Sequence, residues 1–327
     1  MSAITKSRKT QKKYSGPSPE EKLCNELVEA LKAGVNPWRK DWVGNPEDTH
    51  RNLITGHEYQ GANVAVLEAI QSIRGYKHPL WLGVGAAKQK GWFPQKGSKG
   101  AYILRPQLVK IPQLDENDQP IKDELGKDLI IAFVKYKTAC VFNVDALKGI
   151  DEESQQALDE TIKHQQRSLP AKPLDTRCKE GLNVLNTWSS DNLKGINHGG
   201  NRAFYSLLED SVTLPEAKQF KDSQSYLATW AHELVHSTGH ESRLKRKELN
   251  TYHLNKKARA REELVAELGA FLVTRRLKVN SDAQNHAAYL GSWAELLDGP
   301  QALFKVLSDA TKASNFIVGP EVKEEVK

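Results

Sequence analysis

The pentapeptide His232-Glu233-Leu234-Val235-His236 constrains this 327-residue chain more than any other feature. It lies within SQSYLATWAHELVHSTG, where Tyr226, Leu227, Trp230, Leu234 and Val235 recur at helical spacing, so a helix is expected over 223–238, ended by Gly239. On such a helix, residues four apart stand one above the other. The two imidazoles then face one side and can each offer a nitrogen to the same zinc ion, while Glu233 points to the open coordination position. Glu233 is placed to take a proton from a zinc-bound water, and the metal to polarise a scissile carbonyl. This donor pattern predicts a zinc hydrolase with one Zn2+ per chain.

Two ligands leave the site incomplete. The metzincin pattern requires a histidine six positions after His236, and that position is Ser242. His240 on a continuing helix would stand two turns from His232, roughly 12 Å away and too far to share a metal. In the downstream segment REELVAE, Glu263 and Glu267 are four apart and share a stripe with Ala260, Ala270 and Phe271. A solvated acid has little reason to lie on so apolar a face. Glu263 is therefore the expected third ligand, with Glu262 as the fallback. Glu267 is expected to accept a hydrogen bond from a ligand imidazole and fix its tautomer. Tyr252, His253 and Tyr289 are candidates for steadying a tetrahedral intermediate, and Tyr252 ranks first. The competing reading makes the histidines surface residues and the acids solvated helix carboxylates near Arg261.

Charge singles out the other half of the chain. The net charge is +6, yet residues 1–150 carry about 23 Lys and Arg against 16 Asp and Glu, which leaves the remainder near −1. Residues 71–110 hold Arg74, Lys77, Lys88, Lys90, Lys96, Lys99, Arg105 and Lys110 and no acid. A one-signed stretch of this kind points to a polyanion. Trp38, Trp42, Trp81 and Trp92 lie among these cations and beside Arg39, Lys40 and Arg51. Exposed rings stack on unpaired bases while cations follow the phosphates, so the combination fits single-stranded DNA, with duplex DNA as a second candidate. The alternative for any one ring is burial in a small core.

The expected fold class is α+β: a small basic helix-plus-sheet domain followed by the metal-binding domain. Residues 1–18 read as a disordered basic arm and 19–148 as the DNA-binding domain. Within the latter, helices are expected over 19–34 and 60–74, strands after Trp81, and an acidic loop at DENDQPIKDELGKD. Residues 149–174 read as a helix and linker, 175–318 as the second domain and 319–327 as a frayed tail. In the second domain, helices are expected over 175–187, 223–238, 258–276, 283–297 and 300–313, with a hairpin in AFYSLLEDSVTLP. No apolar run reaches eighteen residues and the basic start lacks an apolar stretch behind it, so no membrane partner and a cytoplasmic location are expected. Three scattered cysteines suit a reducing compartment.

Several segments together resemble a known family. NPWR at 36–39, the Trp81 to Gly100 segment with its KGSKG turn, VFNVDAL at 141–147, HGGNRAFYS at 198–206, HELVHSTGHESRLKR at 232–246, REELVAELGAFL at 261–272 and HAAYLGSW at 286–293 resemble ArdC-type antirestriction proteins. The same pair of domains is similar to the N-terminal part of TraC-type plasmid conjugation primases. The resemblance implies an N-terminal domain that binds single-stranded DNA and a zincin-like metallopeptidase domain, carried by mobile elements and protecting entering DNA from restriction endonucleases. It implies that His232, His236 and Glu263 hold the metal and that Glu233 is catalytic. A restriction endonuclease or another DNA-bound protein is then the candidate peptidase target. Stretch 170–197 and the basic arm are departures from the family pattern. Two alternatives remain open: a DNA-binding protection or conjugation accessory protein whose zinc site is structural or vestigial, and a partner-binding scaffold.

Overall fold

The computed structural model describes residues 16–34, 38, 49–115, 119–123, 125–165, 172–279, 293, 295 and 299–320. Most of the basic arm, Arg39, Lys40, Trp42, Tyr289, the linker at 166–171, the tail at 321–327 and nearly all of the helix expected over 283–297 lie outside them.

Ser18 starts the first helix, α1 (Pro19–Lys32). Its hydroxyl accepts the Glu21 amide, the Glu21 carboxylate accepts the Ser18 amide, and Pro19 suits the first helical turn, which has no amide partner to lose. Leu23, Leu27 and Leu31 share one buried face, each contributing about 1.5–3 kcal/mol relative to exposure. Helix α2 (Ala62–Arg74) stops where Gly75 turns left-handed at φ 67°.

Strands β1 (Arg51–Asn52), β2 (Leu80–Gly83), β4 (Ala101–Pro112) and β5 (Ile130–Asn143) form a sheet in the order β1-β2-β5-β4. The amide side chain of Asn63 on α2 donates to the Leu104 carbonyl at 2.8 Å and accepts the Leu104 amide at 2.7 Å, which locks helix to sheet. The β4–β5 pairing runs in unbroken register from Ala101 opposite Val141 to Pro112 opposite Ile130. Bridges Leu114–Pro120 and Lys122–Asp128 carry the ribbon on into the segment expected to be an acidic loop.

Helix α3 (Val84–Gln89) leads to β3 (Trp92–Pro94), which pairs with β6 (Leu147–Gly149). The next helix, α4 (Glu152–Gln165), departs from expectation. It is no connector: Leu158 is buried with Leu80, Leu82, Trp92 and Leu147, and the Trp92 indole donates to the Ser154 carbonyl at 2.9 Å. One apolar stripe, Leu158 and Ile162, is enough to dock a helix that otherwise reads as polar all round.

The second half opens with α5 (Leu174–Asn192), which includes much of the stretch that departs from the family pattern. Strands β7 (Gly195–His198), β8 (Phe204–Ser206) and β9 (Ser211–Leu214) follow in the order β7-β9-β8, with β8 and β9 forming the expected hairpin. Then come α6 (Ser223–Thr238), the short α7 (Lys247–Asn250), α8 (Lys256–Arg276) and α9 (Pro300–Val318). Helix α6 has the bounds expected of it, with the Asp222 carboxylate accepting the Ser225 amide as its cap.

Two glycines set the helix spacing. A Cβ on Gly181 of α5 would lie 2.7 Å from a Leu227 methyl on α6, and one on Gly269 of α8 would lie 2.7 and 2.8 Å from the two Val235 methyls. Helix α9 ties the halves together: Leu303, Val306, Leu307, Ala310 and Ile317 belong to one core that runs from Leu27 and Ile70 to Trp230 and Leu264. Arg275 of α8 also pairs with buried Glu68 of α2 at 3.0 Å. Among the described residues, no helix is long and apolar enough to cross a membrane.

Candidate metal centre

His232 and His236 project from the middle of α6, and the close approach at Gly269 brings α8 alongside them. The Nε2 atoms of the two imidazoles are 3.2 Å apart, and Glu263 Oε2 lies 3.6 Å from His232 Nε2 and 3.9 Å from His236 Nε2. A point equidistant from these three atoms is about 2.1 Å from each, the length of a bond from zinc to imidazole or carboxylate. The donor set therefore fits one divalent ion. His240 leaves the helix and bonds Ser242 instead.

The electrostatics also call for a cation. Burial by itself would lower the His232 pKa, but the nearby Glu263 carboxylate and the charges of Glu233 and Glu267 overcome it and raise the value to about 9. The shift reflects the carboxylates gathered around this ring, whose charge a bound cation would balance. Glu263 is held far below the usual carboxylate range by the two imidazoles and by Tyr252, despite its own burial.

Each remaining acid has a distinct place. Glu262, fully buried, is no ligand: it faces His236 Nδ1 at 3.3 Å and takes two hydrogen bonds from Arg246, at 2.9 and 2.6 Å. It is the orienting carboxylate for His236, with Arg246 neutralising it and holding its pKa down. Glu267 stands 3.8 Å from His232 Nδ1, the side of the ring where an orienting carboxylate was expected. The structure gives His236 a hydrogen-bonded carboxylate in Glu262, the fallback ligand of the sequence reading, whereas the hydrogen bond expected of Glu267 is not made at 3.8 Å. Tyr252, the first-ranked helper, donates its hydroxyl to Glu263 Oε1 and presents its ring edge-on to His236. Glu233 is 8 % exposed and has no hydrogen-bond or ion-pair partner among the described residues. Arg246 had no signal in the sequence, because a ligand-orienting guanidinium sixteen positions before its carboxylate follows no helical period.

The expected DNA contacts divide. Trp38, Trp81 and Trp92 are buried, and their indole N–H groups are spent on the Ala65 carbonyl, His50 Nδ1 and the Ser154 carbonyl. In this arrangement none can stack on a base: in so small a unit the largest apolar side chains serve the core. Lys77, Lys88, Lys90, Lys96 and Lys99 are exposed and Arg51 is half-buried. Arg74 is not available, because it is bonded to Glu26 and to the carbonyls of Lys99 and Gly100.

A pair of helices presenting two histidines and a carboxylate beside a three-stranded sheet defines a zincin-like metallopeptidase fold, and residues 185–309 match the family profile described as zincin-like metallopeptidase. Residues 18–142 match the N-terminal domain of anti-restriction factor ArdC, and the chain is an ArdC-type protein. It resembles the crystal structure of antirestriction protein ArdC from plasmid R388 in its metal-free form, at TM-score 0.60 and 27 % identity, covering 91 % of this chain and 96 % of that one. The Mn(II)-bound structure of the same protein matches at TM-score 0.59 and 25 % identity, over 90 % of this chain and 95 % of that one. A DNA primase TraC of Escherichia coli is 31 % identical over 320 residues, 93 % of this chain but 20 % of the primase. The chain thus spans about a fifth of the length of that relative.

Proposed function

We propose that this protein is a DNA-binding antirestriction factor whose second half is a zinc-dependent peptidase, protecting incoming mobile-element DNA by acting on a restriction endonuclease or another DNA-bound protein. The observation that carries the enzymatic part is the condition of Glu233. Glu262, Glu263 and Glu267 are all engaged by a guanidinium, a phenol or an imidazole. Glu233 is enclosed beside the metal ligands and makes no hydrogen bond or ion pair among the described residues, its charge acting on His232 alone of the ligands whose shifts are resolved. A purely structural metal site has no use for such a carboxylate, whereas a hydrolytic one needs a proton acceptor there.

A bound zinc ion would supply an acidified water and a Lewis acid for the scissile carbonyl. Glu233 accepts the proton of the attacking water and returns it to the leaving amine. Glu262 holds the His236 ring in the ligating tautomer, and Glu267 places a negative charge 3.8 Å from His232 Nδ1. Tyr252, once released from Glu263, offers its hydroxyl to the developing oxyanion.

Support for the DNA part lies in the exposed Lys88 of α3, Lys90 just after it and the lysines of the 95–99 turn, together with an unusual pair on the ribbon. Arg105 and Lys137 are both exposed and stand directly opposite each other in the β4–β5 register. Facing like charges destabilise a ribbon unless an anion lies over them, and a phosphate backbone removes the repulsion. The ribbon and the lysines, rather than the tryptophans, are the proposed strand-binding surface, with single-stranded DNA as the partner.

Glu233→Ala tests the whole reading. The variant should retain its metal by mass spectrometry and its affinity for single-stranded DNA, and should lose cleavage of proteins presented on DNA. Full protection from restriction by this variant in a conjugation assay would assign protection to DNA binding alone and refute the peptidase role.

A further inference from the structure

The β4–β5 pair outgrows the sheet it belongs to. At its root Ala101, Ile103 and Val141 are buried in the core, whereas Arg105, Lys137 and the described positions beyond them are exposed or half-buried. Ile111, Leu114, Leu129, Ile130 and Ile131 are each 40–52 % exposed on this outer half, with Ile111 directly opposite Ile131. Large apolar residues grouped in water on one projecting element mark a surface that meets a partner.

The edge of the ribbon limits how a partner approaches. Leu104 turns its amide and carbonyl to the Asn63 side chain, so even-numbered positions of β4 bond away from β5. At that edge Pro106 and Pro112 have no N–H to offer, which opposes the addition of another strand and leaves the faces of the ribbon for contact. Charge is divided along its length. Residues 101–112 and 129–143 hold Arg105, Lys110, Lys135 and Lys137 and no acid, whereas 113–128 hold six acids and two lysines. The described acids there, Asp115, Asp123 and Asp128, are exposed. Arg105 and Lys137 stand six positions inward from the Ile111–Ile131 pair, roughly 20 Å; Asp115 and Asp128 stand four and three positions outward, roughly 10–13 Å. A two-fold axis through that pair brings the acidic tip of one ribbon toward the cations of another, and arginine and lysine side chains span the difference. The apolar stretches then cover each other. A DNA strand would satisfy the inner cations, but the tip would repel it and the isoleucines would stay in water.

We propose that the outer half of the β4–β5 ribbon is a self-association surface, crossed face to face with the same ribbon of a second copy of this chain. Arg105 and Lys137 then receive carboxylates from the second copy's tip when no nucleic acid is present. One consequence rests on the DNA-binding reading above: a strand and a second copy compete for these two cations, so DNA opens the dimer. Two ribbons bury a small area, which sets the dissociation constant on the order of micromolar.

Sedimentation velocity of the full chain, from about 1 to about 100 µM, should show its mass rising from one chain toward two. Arg105→Glu with Lys137→Glu should weaken association at least about tenfold, as should Asp115→Lys with Asp128→Lys, because each sets like charges together. An equimolar mixture of the two variants should associate as the wild type does, since every crossing contact again joins opposite charges. Asp115 also accepts the Gln119 amide, so a second measurement leaves the chain unsubstituted. Zero-length carboxylate-to-amine crosslinks between wild-type chains carrying light and heavy nitrogen should join Asp115, Asp123 or Asp128 of one copy to Lys110 or Lys137 of the other. A wild-type chain that stays single at every concentration, or one whose crosslinks between copies avoid the ribbon, would overturn the proposal. Oligodeoxythymidylate should return the dimer to single chains, and a dimer that persists at saturating DNA would overturn the competition. Self-association through these residues in a chain that binds no DNA would refute the DNA reading alone.

Discussion

Replacing Gly269 by alanine should cost the protein its metal without touching a ligand. The added Cβ would lie 2.7 and 2.8 Å from the Val235 methyls. Carbon atoms in contact sit about 3.5–4 Å apart, so α6 and α8 must separate by about 1 Å at this point. His236 follows Val235 directly, and Glu263 is about 9 Å further along α8. The three donor atoms already stand at 3.2, 3.6 and 3.9 Å from one another, with no slack for an ion that needs bonds of about 2.0–2.2 Å. Parting the helices stretches the two distances that cross between them. Overpacking of this kind is expected to destabilise the fold by about 1–3 kcal/mol. The metal dissociation constant, read by chelator competition, should rise by at least about tenfold. Val235→Ala in the same chain removes both opposing methyls and should restore binding. Wild-type affinity in Gly269→Ala, or failure of the second substitution to rescue it, would refute the claim that this contact sets the ligand geometry.

Further outcomes follow from the charged groups around the site and on the basic surface. Glu262→Ala should weaken metal binding about 10–100-fold and also destabilise the chain, because Arg246 loses its partner in the interior; Glu262→Gln, which keeps a hydrogen-bonding group beside His236, should recover part of the affinity. Asp210 is buried, yet hydrogen bonds from Arg243 and Tyr205 hold its pKa below the ordinary carboxylate value. With the folded value below the unfolded one, this stabilisation is complete above about pH 4 and is lost as pH falls through the folded value. Denaturant titrations from pH 5 downward should therefore show a shallower acid loss in Asp210→Asn, and an unchanged slope would contradict the assignment. Reversing Lys96 and Lys99 to glutamate should weaken DNA binding and flatten its dependence on salt, and an unaltered salt slope would remove these residues from the interface.

Where the sequence was readable, a period carried the information. The helical spacing around His232 and His236 gave α6 with its bounds, and the four-residue step from Glu263 to Glu267 put two acids on the correct face of α8. The roles of Glu262 and Arg246 were hidden because they depend on how α6, α8 and the loop between them pack, and no single element displays that distance. Trp38, Trp81 and Trp92 misled for a related reason. Aromatic rings interleaved with lysines look the same in a sequence whether they face a base or a core, and only the acceptors at Ala65, His50 and Ser154 reveal which it is. Helix α4 reads as a connector because Leu158 and Ile162, its two large apolar residues in fourteen positions, are a faint pattern, though enough when a ready-made groove receives them.

Helix α9 has a consequence for how the molecule reaches its final state. The apolar faces of α1 and α2 are completed by Leu303 and Leu307, more than two hundred residues downstream, so the leading portion emerges from the ribosome with part of its apolar surface uncovered. A nascent chain halted before residue 300 should be held by chaperones or cut by proteases, and the donor cluster on α6 and α8 should become fully rigid only after that late closure. Commitment to the native form thus waits for residues 300–318, and separate expression of either half is expected to give aggregates.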